Sequence, residues 1–489
     1  MYIIKHRIHL SLFAAGVMLS LFSFLAVHHI SSTLPQWEIA AFIFNLAYFA
    51  GVSLGYSVAS EKTRAKLNWL LPLALLGQAT CLALLRPSYF LMANAEFIGP
   101  RIAGWGVFFI LLILGTPMFA VVLPQSIRTD GLTLRKAYSI EIMGSLFGLI
   151  LIPVLGQFSH NVLIAVYTFF FSILTWSLST KWLSRGAVIM ISILWVCTFQ
   201  VLDARLSTWY YQQKYPEKHI LSVLETIYTP YHKIEMLTLE NDLKMLILNG
   251  KRQFAEGSHH VYSYYVAELP AHLVGQNPKT LVLGCGSMST VGRVGNLASS
   301  IHIVDIDPEV FNTSRKYFQE YNHLDTLQNW SFEADDAKHF LANDNNSYDL
   351  ILHDIPPARS RQTALTYTKE FFELVKLRLK SGGIFSISAL NSRSDEQLYG
   401  KKIIATLASV FEDIVVVLYG DSYYIYVGND LSHLGYDRVL QATTQYISPE
   451  DQKKWFTKMA DVWLKEDVLR ETQGLKPITI NNTGELIFD

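Results

Sequence analysis

The chain of 489 residues has only three cysteines and almost no net charge, −1 from 40 basic and 41 acidic side chains. Three thiols make no disulfide framework, and two of them, Cys81 and Cys197, lie inside apolar runs where they form no metal site. The charge balance gives no electrostatic case for nucleic-acid binding. Internal repeats and low-complexity segments are also absent. Cys285 sits in a glycine turn and reads as a small residue that fits there rather than as a reactive thiol.

Apolar residues, by contrast, are plentiful. They make up 51% of the chain, the mean hydropathy is +0.24, and the excess is unevenly spread. Seven apolar runs precede residue 203, at roughly 8–27, 37–59, 69–85, 102–123, 140–157, 161–178 and 186–202. Most reach the ~17 to 25 residues needed to cross a ~30 Å hydrocarbon core. The first run lacks a small-residue cleavage site and is followed by further runs, so it reads as an anchor and not a signal peptide. Residues 1–203 are therefore predicted to be a transmembrane domain of about seven helices, with the lipid bilayer as partner. The Gly144 and Gly148 spacing marks helix packing. No broken-helix pair or cluster of intramembrane charges marks a transport path.

Basic residues gather ahead of the first run (Lys5, Arg7) and in alternate loops: Lys62, Arg64 and Lys66; Arg128, Arg135 and Lys136; Lys181 and Arg185. The positive-inside rule then places the N-terminus in the cytoplasm of a multi-pass protein of the cell (inner) membrane. Seven spans would leave the remainder outside, where a nucleoside cofactor is not normally met. The membrane face of the C-terminal domain stays open on these grounds.

After Asp203 the pattern changes. Residues 204–256 read as a small antiparallel sheet, with LSVLETIYT, HKIEMLTL, a polar turn at Glu240-Asn241-Asp242, and LKMLILNG. Residues 257–430 alternate strand and helix, which implies a parallel sheet covered on both faces. Its strands are predicted at 280–284, 301–305, 329–333, 348–353, 383–388, 413–418 and 422–427, the last two joined by a hairpin at Tyr419-Gly420-Asp421. Residues 431–489 read as a helical tail with one charged helix, about 448–471, capped by Ser448. The fold class is thus a multi-pass α-helical domain followed by α/β: a small antiparallel β domain plus a Rossmann sheet of the class I methyltransferase kind.

The chemistry-bearing stretch is TLVLGCGSMST. An apolar strand runs into the turn Gly284-Cys285-Gly286, and a second strand ends about twenty residues later in Asp305. Glycines let the backbone approach a ligand, and an acid at the second strand's tip binds a ribose diol. Acids recur at the ends of the next strands, at Asp335-Asp336 and at Asp354. In this reading Asp305 takes the ribose hydroxyls, Asp336 accepts from an adenine amino group, and Asp354 faces the reacting end. Asp307, ahead of Pro308, reads as a helix cap.

The segments LILNGKRQF, VYSYY, GCGSMS, VDIDPEV, DDAKHFL, YDLILHDIPP and YTKEFF resemble the spermidine synthase (polyamine aminopropyltransferase) family. The resemblance is closest to its membrane-bound bacterial branch and covers about residues 220 to 430. It implies transfer of an aminopropyl group from decarboxylated S-adenosylmethionine to an amine acceptor, without a metal. It also implies that Gln253, Gly284, Gly286, Ser287, Asp305 and Asp336 bind the nucleoside donor, that Asp354 and Tyr262 serve catalysis, and that a homodimer is an expectation.

Three positions depart from the family pattern. Ser287 stands where the family has an Asp that holds the donor's amino group. Pro357 stands where it has the presumed base. Ser258 to Tyr264 replaces a segment whose acids and histidine meet a polyamine. His259, His260 and His353 are candidates to supply the lost base, and Arg359 and Arg361 to meet an anionic substrate. Two other readings therefore stand beside aminopropyl transfer. One is a transferase using intact S-adenosylmethionine. The other is a catalytically inactive nucleoside-binding module that regulates the membrane domain.

Overall fold

The computed structural model describes residues 2–33, 37–59, 61–93, 110, 113, 117–156, 160–258, 260–358, 360–390 and 396–487. The chain forms two compact units, one of residues 1–242 with 247–251 and one of residues 243–246 with 252–489.

The first unit holds helices α1 (Tyr2–Ser31), α2 (Trp37–Val58), α3 (Glu61–Ala93), α4 (Pro117–Asp130), α5 (Leu134–Gly156), α6 (His160–Leu178) and α7 (Trp182–Lys214). Six of these are long and apolar enough to cross a membrane: the stretches Arg7–Ser31, Ala41–Val58, Lys66–Leu91, Leu134–Leu155, His160–Leu178 and Trp182–Lys214. Most of the predicted run at 102–123 lies outside the described residues. Helix α1 is the buried one, with Leu12, Val17, Leu21 and Leu25 wholly covered; a helix apolar on every side needs neighbours all round. It packs on α5 through small residues. A Cβ at Gly144 would meet the carbonyl of Phe13, and one at Gly148 would stand 2.8 Å from that of Val17. Other helices turn Phe42, Phe49, Met143, Ile150, Phe169 and Met190 outward.

Helix α7 continues past the expected boundary at Asp203. The segment ARLSTWYYQQK contains no glycine or proline, so nothing stops the helix before Pro216. A hairpin follows, β1 (Ile220–Tyr228) and β2 (Lys233–Leu239), paired antiparallel. A turn at Glu240–Asp242 leads to β3 (Lys244–Leu248) and β4 (Lys251–Ala255), which complete a four-stranded sheet in chain order.

Buried charge ties the hairpin to the helices of its own unit. Arg86 on α3 grips Glu235 on β2 with two bonds, 2.8 and 3.0 Å, and also reaches Ser207 on α7 and Ser32 after α1. Lys233 lies 3.1 Å from both Glu235 and Asp203, and Tyr211 donates to Glu235. Burial pushes the Glu235 carboxyl up, but Arg86 and Lys233 outweigh it and hold the group well below the usual carboxylate range. Two cations face two anions, so the cluster is neutral as a whole.

The second unit is built on β5 (Lys279–Leu283), β6 (Ser300–Asp305), β7 (Trp330–Ala334), β8 (Tyr348–His353), β9 (Leu379–Leu390), β10 (Asp413–Tyr419), β11 (Ser422–Gly428) and β12 (Asp461–Trp463). The sheet order is β12-β10-β11-β9-β8-β5-β6-β7. Strands β9, β8, β5, β6 and β7 run parallel, and β11, β10 and β12 add antiparallel pairs. The order reverses at β5, where neighbours lie in opposite directions along the sheet, and this is where such sheets hold ligands.

The C-terminal tail is not the continuous helix expected at 448–471. Ser448 does cap a helix, accepting from Asp451 N, but that helix spans only Pro449–Lys454. Trp455 then stacks on His260, Phe456 packs on Tyr264, and residues 461–463 pair with β10 before a second helix at Lys465–Glu471. Burial of two aromatic rings and the open edge of β10 override the local helical pattern.

Truncating Arg86 to methionine should leave Glu235 buried beside one cation instead of two. Loss of a buried partner costs about 3–5 kcal/mol, so a large fall in the melting temperature of detergent-solubilised protein is expected. A change equivalent to less than about 1 kcal/mol would show that the pair does not hold the hairpin.

Candidate functional site

The site forms where β5, β6 and β8 end. The chain leaves β5 through Gly284, whose φ is +85° and which lies so close to β8 that a Cβ would be 2.5 Å from the carbonyl of Asp354. Gly286 follows at φ +41° and faces the Asp354 carboxylate; a Cβ there would stand 3.9 Å from Oδ2. Neither conformation suits a residue with a side chain. The turn is therefore pressed against Asp354 and leaves room on its open side.

Asp305, at the tip of β6, is held by this turn. Its Oδ2 accepts from the N–H of Cys285 at 2.8 Å and its Oδ1 from the N–H of Asp307 at 2.8 Å. These two backbone bonds fix the orientation of the carboxylate at the strand tip. Asp307 caps the following helix, accepting from Glu309 N, as its place before Pro308 predicts.

Asp354 is the most elaborately held acid. Tyr262 donates to Oδ1 and Thr290 to Oδ2, each at 2.8 Å. Burial raises its pKa to about 6; the Thr290 and Tyr262 bonds pull it down, and the charge of Asp305 pushes it up. Burial and the neighbouring Asp354 carboxylate hold the Tyr262 phenol far above its ordinary value, so it acts as a neutral donor. Thr290 carries no motif signal of its own, and sequence reasoning missed it. The clue was its position in the first turn of the helix that follows the glycines, Ser289–Val294, where side chains face back toward the turn.

The remaining predicted residues divide. Ser287 is buried in the turn, with its Oγ accepting from Ser289 N at 3.3 Å. Gln253 is half-buried on β4, with no side-chain hydrogen bond among the described residues. Asp336 follows the end of β7 and spends Oδ1 on capping the next helix, accepting from Lys338 N and His339 N.

His353 is not a replacement base. It points into the core against Tyr367, Phe371 and Phe385, and burial lowers its pKa to about 3. Side chains alternate across a strand, so His353 at the end of β8 faces away from its neighbour Asp354. His260 is stacked on Trp455 and bonded to Arg293 at 2.9 Å; burial and that cation lower its pKa. His259 and Arg359 lie outside the described residues. A groove of about 500 Å³ lined by Lys279, Ser300, Asn329 and Trp330 opens at the amino ends of the strands, the wrong end for ligands of such a sheet.

This geometry is that of a Rossmann-class sheet with one acid at the tip of β6 and a second behind the glycine turn. Residues 259–423 match the spermine/spermidine synthase domain, so this part of the chain is similar to the spermidine synthase family. The chain is similar to a protein named polyamine aminopropyltransferase 2 from Aquifex aeolicus, 25% identical over 391 residues, covering 75% of this chain and 74% of that one. Three-quarters of this chain is more than lies after Lys214, so the match takes in part of the helical segment. A polyamine aminopropyltransferase of Aeropyrum pernix is 28% identical over 216 residues, 43% of this chain and 66% of that protein. For a Pseudomonas aeruginosa relative of the same name, 29% identical, the match spans half of that protein's length. Among solved structures, a spermidine synthase in complex with the transition-state analogue AdoDATO aligns over 54% of this chain and 88% of its own, at 17% identity and a TM-score of 0.40.

Two outcomes are expected at this site. Asp305→Ala should weaken nucleoside binding by ~1–3 kcal/mol, the usual cost of losing a charge-assisted hydrogen bond; unchanged affinity in calorimetry would remove Asp305 from the site. The raised pKa means that Asp354 is a carboxylate only above about pH 6. Binding of a cationic ligand should therefore rise with pH through that value. Thr290→Val, which removes a bond favouring the charged form, should move the midpoint upward. A midpoint that stays put would mean that Asp354 is not the titrating group.

Proposed function

We propose that the protein is a membrane-anchored transferase that binds decarboxylated S-adenosylmethionine and passes its aminopropyl group to an amine. The observation that carries this reading is the held pair Asp305 and Asp354 around the glycine turn, within a domain similar to the spermidine synthase family. The names of the relatives agree with it. In this reading Asp305 takes the ribose, Asp354 receives the donor's ammonium group, and Tyr262 fixes the carboxylate that receives it. Membrane anchoring is supported by six long apolar helices whose outward side chains include Phe42, Phe49, Met143 and Ile150.

The acceptor in this reading is a small amine of low charge. A polyamine brings two or more positive charges, and its desolvation needs carboxylates. Asp305 is the acid whose charge bears on Asp354, Pro357 carries no proton acceptor, and Ser263 donates its hydroxyl to Ser289. A second reading, transfer from intact S-adenosylmethionine, is favoured by Ser287: an Asp there would repel the methionine carboxylate, and a serine does not.

Calorimetric titration of the detergent-solubilised protein with decarboxylated S-adenosylmethionine, S-adenosylmethionine and methylthioadenosine separates these readings. Tighter binding of the decarboxylated form is expected. Preference for the intact form would transfer the assignment to the second reading, and no heat with any of the three would sink both. Asp354→Asn should impair turnover more than donor binding; equal losses would contradict its place at the reacting end.

A further inference from the structure

Helix directions within the first unit can be read without counting spans. Helices α1 and α5 run parallel, because Phe13 meets Gly144 and, four residues on in both helices, Val17 meets Gly148. Their starts share a groove lined by His9, Thr133, Arg135 and Lys136. Helices α3 and α7 are also parallel. At one end Asn68 Oδ1 takes the N–H groups of Thr180 and Lys181, just before α7 begins, at 3.1 and 3.2 Å. At the other end Arg86 bonds Ser207 on α7 and Ser32 after α1. Arg128, closing α4, donates to the carbonyl of Ala59 at the end of α2.

All of these contacts sort the unit into two ends. Arg7, Lys66, Arg128, Arg135, Lys136, Lys181 and Arg185 fall at one end, where α1, α3, α5 and α7 begin. The other end carries Arg86, neutralised by Glu235, and the β1–β2 hairpin. The segment 247–251 returns to this same end: Lys214 donates to the carbonyl of Gly250 at 2.7 Å, and a Cβ at Gly250 would meet the carbonyl of Ser32. No described helix after Lys214 is long and apolar enough to cross a membrane.

We propose that the nucleoside-binding unit lies on the face of the membrane opposite the cytoplasm. The inference rests on the membrane anchoring proposed above. Positive charge marks the cytoplasmic end of a helical bundle, and the chain leaves the bundle for the second unit at the opposite end, where Arg86 and Lys233 are paired with Glu235 and Asp203 and Lys214 bonds a backbone carbonyl. The sole thiol beyond Cys197 is Cys285, which is fully buried, so an oxidising compartment has no exposed cysteine to attack in this unit. A nucleoside made in the cytoplasm reaches such a site only after a transport step, and that class of step must supply the donor.

The test uses the full-length chain in bacterial cells. C-terminal fusions to alkaline phosphatase, which needs an oxidising compartment, and to green fluorescent protein report the side of the second unit. An active phosphatase and a dark fluorescent fusion are expected. Leu221→Cys, exposed on β1, should react with a membrane-impermeant maleimide in intact cells, and Thr133→Cys, exposed ahead of α5, only after permeabilisation. A bright fluorescent fusion with a silent phosphatase, or the reverse labelling order, would overturn the proposal. Recovery of the chain in the soluble fraction after a carbonate wash would overturn the anchoring and this inference with it. Donor binding by the purified protein does not depend on the side, so the two readings fail separately.

Discussion

A buried ion pair is costly unless every charge finds a partner, and the helical unit depends on meeting that condition. Arg86 and Glu235 are taken almost wholly out of water, and each alone would be strongly unfavourable. The unit meets the cost by converging Lys233, Asp203, Tyr211, Ser207 and Ser32 on the same spot. This obliges the ends of α1, α3 and α7 to meet the hairpin in one arrangement. Apolar packing between helices tolerates sliding; a bidentate arginine does not.

The second unit depends on an equally tight constraint, the approach of the glycine turn to β8. Gly284 lets the backbone pass against the Asp354 carbonyl, and that contact brings the Asp354 carboxylate next to the turn. Tyr262 and Thr290 then divide its two oxygens between them. Asp305 is oriented by the same turn through Cys285 N. One backbone conformation thus aims two acids, Asp305 and Asp354, while Ser287 and Pro357 stand where the resemblance implies an Asp and a base.

Much of this was legible along the chain. Strand positions in the second unit follow from period and from turn residues, and Tyr419-Gly420-Asp421 joins β10 and β11 in register. Asp305 and Asp354 stand at strand tips because apolar runs end there. Asp307 and Ser448 cap helices because Pro308 and Pro449 follow them. These are local signals, carried by neighbours within a few residues, and local physics is enough to read them.

Other features depended on partners far away in sequence. Thr290 reaches Asp354 across 64 residues and Arg86 reaches Glu235 across 149, and neither pairing leaves a trace in spacing. His353 looked like a spare base beside Asp354, but strand alternation turns it into the core. The tail at 455–463 reads as helix until Trp455 and Phe456 find aromatic partners and β10 offers an open edge. The sequence by itself determined the apolar helices, the order of the strands and the acids at their tips, because each is set by the residue's own chemistry and its near neighbours. Only the tertiary structure decided which acid is raised toward neutrality, which histidine is silenced and which ends of the helices carry the charge. Desolvation and pairing depend on what the fold brings together, and the linear order of residues does not contain that.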